Sequence, residues 1–259
     1  MGILAFFGLG GTLSPKRIAQ ASKLACNPFA QPEVRMRELQ RLLKQKTPEA
    51  ISGAVRRFGA NAQGHIADEE EKSWLAEALV ELGPKAQGPL ETYIQSEQKL
   101  TYALMAYRRI VGQDAARNFF ITVLEGIGPL DHQKVEAKQQ LVAALVEDAH
   151  QRPVQRALAP FLTDHSDDVI WSVLDGVEHC LSDAHPPSPK QAVLEEALLD
   201  GLKMLLVSHD ASARISGRVA HLLARYGEPL NLSSQALPSS IADQFCIDAK
   251  GAVRARASA

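Results

Sequence analysis

Catalytic and metal-binding signatures are nearly absent from this chain. It carries no Cys-x-x-Cys pair and no nucleophile-elbow motif, and no stretch shows the alternation of a β-strand. Without paired cysteines there is no zinc ribbon. His179-Cys180 with His185 offers ligand types only, straddling a helix end and a proline-rich loop. Gly8-Leu-Gly-Gly11 has no strand before it and no Lys-Ser/Thr after it, so it is not a phosphate loop. Ser, His and Asp are plentiful, but no spacing groups them into a triad. The sequence therefore implies no catalytic residue, no metal and no cofactor. Cysteine is also scarce: Cys26, Cys180 and Cys246 are an odd set without motif spacing, which reads as free thiols in a reducing compartment.

No hydrophobic run is long enough to cross a bilayer. The apolar start, Met1 to Gly11, falls short of the roughly 20 residues a span needs, and it lacks the basic region of a signal peptide. Leu24-Ala25-Cys26 loosely resembles a lipoprotein processing site, but Lys16, Arg17 and Lys23 interrupt the hydrophobic stretch that export requires. Phe6 stands where a myristoylation signal has Ser or Thr. A cytoplasmic location is expected. Residues 1–13 either cap the first helices or, through Phe6 and Phe7 beside a basic helix, give weak membrane or partner association.

Aromatics make up 5% of the chain, and Ala and Leu dominate, which favours helix. The net charge of −2 conceals a division. Residues 1–60 hold ten Lys/Arg against three Asp/Glu, whereas residues 61–100 hold eight acids and three bases. A basic end followed by an acidic stretch points to a polarised interaction surface more than to a nucleic-acid binder over the whole length.

What the chain does have is a period. Helix pairs begin at Pro48, Pro84, Asp114, Pro153 and Pro189, at steps of 36, 30, 39 and 36 residues. Such a repeat is the mark of stacked helical hairpins, each burying its apolar face against its neighbours. Ser14-Pro15 and Thr47-Pro48 place a cap and then a proline at helix starts. Asp68 and Glu71 fit a capping box, after which Trp74, Leu75, Ala78, Leu79 and Leu82 form an inward stripe. The expected organisation is an N-terminal apolar segment and capping helix pair over 1–46, a solenoid over 47–227, and a linker, short helix and disordered basic tail over 228–259.

Residues 157–174 read Ala-Leu-Ala-Pro160-Phe-Leu-Thr-Asp164-His-Ser-Asp167-Asp168-Val169-Ile170-Trp-Ser-Val-Leu. A proline in the first helix, an Asp-rich turn and a second helix opening Asp-x-Val resemble a HEAT repeat. Ala86-Gln-Gly-Pro89-Leu90, Asp210-Ala-Ser-Ala-Arg214-Ile215 and Pro32-Glu33-Val34-Arg35 echo parts of it. Ile170 replaces the family's usual Arg. The resemblance covers roughly residues 30–227. It implies an all-α fold of the armadillo-like class, a right-handed α-α superhelix with about five hairpin units, and it is silent on activity. Iron-binding HEAT-like hydroxylases use His-Glu pairs, and no His-Glu dipeptide occurs here.

Two groups of residues are binding candidates. Arg35, Arg37, Arg41, Lys44, Arg56 and Arg57 are a basic set beside Trp74, with Arg37, Arg41 and Lys44 on one side of a helix. Tyr102, Tyr107 and Trp171 fall on second helices, which line the concave side of such solenoids, and aromatics with Arg concentrate at interface hot spots. The leading expectation is a non-catalytic scaffold gripping a protein partner. The alternatives are a nucleic-acid binder similar to HEAT-like DNA glycosylases, with basic groups converging on a groove floored by an acid, and a membrane-peripheral scaffold.

Overall fold

The computed structural model describes residues 12–182, 193–208, 211–230, 232 and 237–256. The chain divides into two compact units, Met1–Ala116 and Arg117–Ala259. The expected helix start at Pro189, the apolar residues 1–11 and His185 lie outside the described residues.

In the first unit the helices are α1 (Pro15–Ala25), α2 (Pro32–Leu43), α3 (Pro48–Val55), α4 (His65–Leu82), α5 (Pro84–Ser96) and α6 (Thr101–Val111). Proline opens α1, α2, α3 and α5, where its missing N–H costs nothing and its fixed φ already suits a helix. Thr47 also caps α3 by accepting from the Ala50 amide. The helices lie in two rows: α1, α3 and α5 pack side by side, and so do α2, α4 and α6. Between the rows Leu39, Leu42, Ile51, Leu75, Leu79, Leu90 and Ile94 are buried. Small residues let the rows close up. At Gly53 an added Cβ would already touch Ser22 and Leu42 side chains, and Ser22 Oγ donates to the Gly53 carbonyl at 2.7 Å.

The second unit takes in most of α7 (Gln113–Ile127), then α8 (Val135–Leu145), α9 (Arg152–Leu158), α10 (Asp167–Cys180), α11 (Glu196–Val207), α12 (Ala213–Tyr226) and α13 (Ser239–Ala242). Here α8, α10 and α12 form one row, while α9 and its continuation pack against α11. That continuation, Ala159–Thr163, is a 3-10 helix with Pro160 as its second residue. A proline there has no N–H for the α-helical bond and crowds the preceding turn, so the coil tightens instead of extending α9. The all-α, repeated-hairpin organisation expected from the period is thus present in both units. Among the described residues no helix is long and apolar enough to cross a membrane.

The C-terminal region departs from the expected frayed tail. Strands β1 (Phe245–Ile247) and β2 (Val253–Ala255) pair antiparallel, with Cys246 opposite Arg254. Asp248 makes the turn by accepting from the amides of Lys250 (2.9 Å) and Ala252 (3.0 Å). The hairpin and α13 pack on α12, and the Leu230 amide bonds back to the Gly251 carbonyl at 3.0 Å. Three-residue strands are too short to show alternation, which is why the sequence pattern missed them.

Candidate functional site

The basic residues of the first unit fall into two classes that sequence alone did not separate. Arg35 on α2 and Arg57 after α3 are 1% and 0% exposed. They turn inward onto the carboxylates of α4. Arg35 grips Glu71 with Nη2–Oε1 at 2.6 Å and Nε–Oε2 at 2.9 Å. Arg57 spans Asp68 at 2.6 Å and Glu71 at 2.9 Å, and Lys72 closes on Asp68 at 2.6 Å. The spare donors are used as well: Arg35 bonds to the Ala30 carbonyl, and Arg57 to that of Ala60 at 2.7 Å. The Ala62 amide meets Asp68 at 2.9 Å. Burial opposes ionisation of Asp68, but the Lys72 ammonium, the Arg57 guanidinium and the Ala62 amide outweigh it and hold the carboxyl at about 2. The Glu71 carboxylate raises Arg35 further above its already high range.

This arrangement changes two expectations. Asp68 and Glu71 are not a capping box, since α4 starts at His65 with Gly64 before it, and both acids serve the buried network. Arg35 and Arg57 are not part of a surface. The basic groups that converge on Asp68 and Glu71 are themselves buried.

The remaining four basic candidates are exposed. Arg37 and Arg41 each reach the buried Glu38 at 3.2 Å. Lys44 and Arg56 make no ion pair among the described residues. Tyr102 stacks on Phe58 (centroids 5.8 Å apart) and donates its hydroxyl to Glu69, which pushes its pKa up to about 12. Tyr107 is buried and donates to Glu91 at 2.8 Å, and its hydroxyl is pushed up by burial and by that carboxylate. Trp171, on α10 of the second unit, lies under two guanidinium groups of α12, with Arg214 at 4.0 Å and Arg218 at 4.1 Å from its centroid. Arg218 is held there by Asp175 at 2.5 Å and Glu178 at 2.9 Å. The nine candidate residues therefore make no single constellation: two lie in a buried network, Tyr107 is core, and Trp171 belongs to the other unit.

The structure adds a feature that the sequence reading assigned to the core. Trp74 is only partly covered. With Pro32, Met36, Ala67 and Glu71 of the buried network it lines an open slot of about 370 Å³ between α2 and α4, rimmed by Glu33 and Glu70. Ile66, directly before Ala67, and Phe29, three residues before Pro32, are each 77% exposed. Large apolar groups left in water beside an apolar slot are the usual sign of an interaction surface. The available signal was the sequence Phe29-Ala-Gln-Pro32 and Ile66-Ala67, apolar residues at helix starts outside the core stripe.

The second unit has its own groove of about 360 Å³ among the Ala159–Thr163 segment, α10, α11 and α12. Leu162, Ile170, Met204 and Ile215 line it, and Met204 is 66% exposed. An added Cβ at Gly201 would meet Leu162 Cδ1 at 2.7 Å, so a larger residue there would have to push that methyl group aside. No group of three or more His, Cys, Asp or Glu suited to a metal is found among the described residues. The three cysteines are free thiols, and burial pushes the Cys180 thiol up to about 11, far from a reactive thiolate.

No protein-family model and no curated protein matches this chain. Among solved structures it is similar to a designed armadillo repeat protein in complex with the peptide (KR)4, at 18% identity and a TM-score of 0.41, over 81% of this chain and 99% of that one. It is also similar to computationally designed armadillo repeat proteins for modular peptide recognition, at 20% identity and 0.45, over 81% and 92%. An engineered protein aligns at 15% identity and 0.38, over 83% of this chain and 64% of its own length.

Proposed function

We propose that this protein is a non-catalytic scaffold that binds a protein partner through the second-helix face of its first unit and the adjoining basic edge. One observation carries the reading. The α2–α4 slot leaves Trp74 and Met36 open to an incoming apolar side chain, with the carboxylates of Glu33, Glu70 and Glu71 around it. Shallow apolar slots with a charged surround suit protein segments, and they exclude water too poorly for chemistry. The basic edge that remains for contact is Arg37, Arg41, Lys44 and Arg56. Tyr102 flanks it on α6, and Trp171 offers a separate aromatic contact in the second unit.

The test is recovery of stoichiometric protein from native lysate on the tagged chain, with and without nuclease. Replacing Arg41 by Gln and Arg56 by Glu removes charge without setting an acid against the buried Glu38. Capture is expected to survive nuclease and to fall about tenfold in this variant, with the unfolding midpoint unchanged. Capture that collapses with nuclease would transfer the basic edge to nucleic acid. Capture indifferent to the double variant would remove the edge from the site.

A further inference from the structure

Three kinds of surface follow one another along α2. Phe29, three residues before its start, and Ile66, in the first turn of α4, stand in water. The slot comes next, with Met36 and Trp74 on its walls. Of its three carboxylates, Glu71 is answered by Arg35 and Arg57. Glu33 on α2 and Glu70 on α4 are exposed and make no ion pair among the described residues. Farther along the helix come Arg37, Arg41 and Lys44, all exposed. The first two reach Glu38, whereas Lys44, at the C-terminal cap, pairs with no carboxylate among the described residues. Lys44 lies eleven positions after Glu33, about 16 Å at 1.5 Å per residue. That is about two screening lengths at physiological salt, so the acidic and the basic end each select their own counter-charge.

An indole face, a thioether and two unpaired carboxylates around one opening suit a long cation. Its aliphatic stem would cover Met36 and Trp74, and the charge at its end would meet Glu33 and Glu70. A guanidinium fits better than an ammonium, because its flat fork lies on an indole and can serve two acids at once. We propose that the α2–α4 slot receives an arginine side chain from an extended segment of the partner, with an apolar residue beside that arginine and an acid about five residues beyond it. The apolar neighbour covers Ile66 or Phe29. The acid meets Lys44 and Arg41, since five extended residues at about 3.3 Å each span the distance from the slot to the end of α2. A wholly basic segment would satisfy the slot and be repelled at Arg41 and Lys44, and a wholly acidic one would be repelled at Glu33 and Glu70. The inference rests on the scaffold reading above and adds the chemistry of the segment that its slot selects.

The experiment is fluorescence anisotropy, with the purified full chain titrated into labelled peptides capped at both ends. The reference peptide is Leu-Arg-Ser-Thr-Ser-Ser-Glu. Its relatives carry Ala or Lys in place of the arginine, or Ser or Arg in place of the glutamate. Loss of the arginine is expected to weaken binding about tenfold, because two exposed ion pairs and one cation–π contact go together. Lysine should restore only part of that. Arginine in place of the glutamate should also weaken binding, although it adds positive charge to a peptide offered to a chain of net charge −2. On the protein side, Glu33→Gln combined with Glu70→Gln should bind the reference and its alanine relative alike. Lys44→Gln should narrow the difference between the glutamate and serine peptides. Circular dichroism of each variant checks that the helices are intact. An alanine relative that binds as tightly as the reference would overturn the inference and leave the scaffold reading standing with an apolar occupant. So would a reference peptide indifferent to the Glu33/Glu70 variant, or a wholly basic peptide that binds best. No saturable binding of the reference, by a chain whose capture of protein from lysate still depends on Trp74, would overturn this inference alone. Loss of both would remove the slot from the site.

Discussion

Arg56 and Arg57 are adjacent, alike in charge and opposite in fate. Arg57 neutralises two buried carboxylates, so Arg57→Ala would leave Asp68 and Glu71 short of their partner. The expected cost is about 3–5 kcal/mol in urea denaturation, against less than about 0.5 kcal/mol for the exposed Arg56→Ala. Asp68 also sets an acid limit. Its folded value is about 2 and its ordinary value 3.8, so its contribution is present above the ordinary value and drains as pH falls toward 2. That amounts to about 2 kcal/mol in the difference between stabilities at the two ends of the window. A stability profile that stays flat as pH falls through this window would contradict the assignment. None of this was legible in the chain. Arg35 and Arg57 have the spacing of surface residues, and only the fold shows that their acids lie 36 and 14 positions away, at Glu71.

At the scale of elements, sequence and structure agree wherever local chemistry decides. Proline at N1 and glycine at the end of a helix are signals read without neighbours. Gly227 closes α12 with φ at +74°, a conformation that costs other residues about 1 kcal/mol. Gly227→Ala is accordingly expected to lower stability by about that amount in chemical denaturation, with the helix content kept. Pro160 shows the limit of such reading. Its place in the first helix of the repeat was plain, but whether the helix bends, ends or tightens depends on what packs against it, and α11 and α10 receive the tightened form. The C-terminal hairpin is another case. Asp248 and Gly251 are turn residues in plain view, yet three residues on either side carry no period.

For the whole molecule, four of the five helix starts read from the period fall within one residue of those at Pro48, Pro84, Gln113 and Arg152, because a period is a statement about many residues at once and survives local error. The candidate surface did not share that security. Trp74 fits the inward stripe by spacing, and its partial exposure follows from how far α2 stands from α4, a distance no single helix encodes. If the second-helix face is the working surface, filling its slot should matter more than removing charge nearby. Trp74→Ala is expected to weaken partner capture by more than about tenfold while the folded state persists, because an aromatic anchor at the centre of a contact outweighs a rim charge. Capture unchanged by Trp74→Ala would shift attention to the Trp171 face of the second unit.

The network of Arg35, Arg57, Lys72, Asp68 and Glu71 fastens the start of α4 to α2 by charge beside the apolar contacts between the two rows. The two kinds of fastening respond differently to heat. Water's hold on ions weakens as temperature rises, so a buried ionic joint becomes less costly to keep, whereas apolar cohesion levels off once warm. The slot beside Trp74 is therefore built on a joint whose grip relative to its surroundings tightens with warming, and amide exchange along Asp68–Lys72 should be the last in the unit to quicken as the temperature climbs.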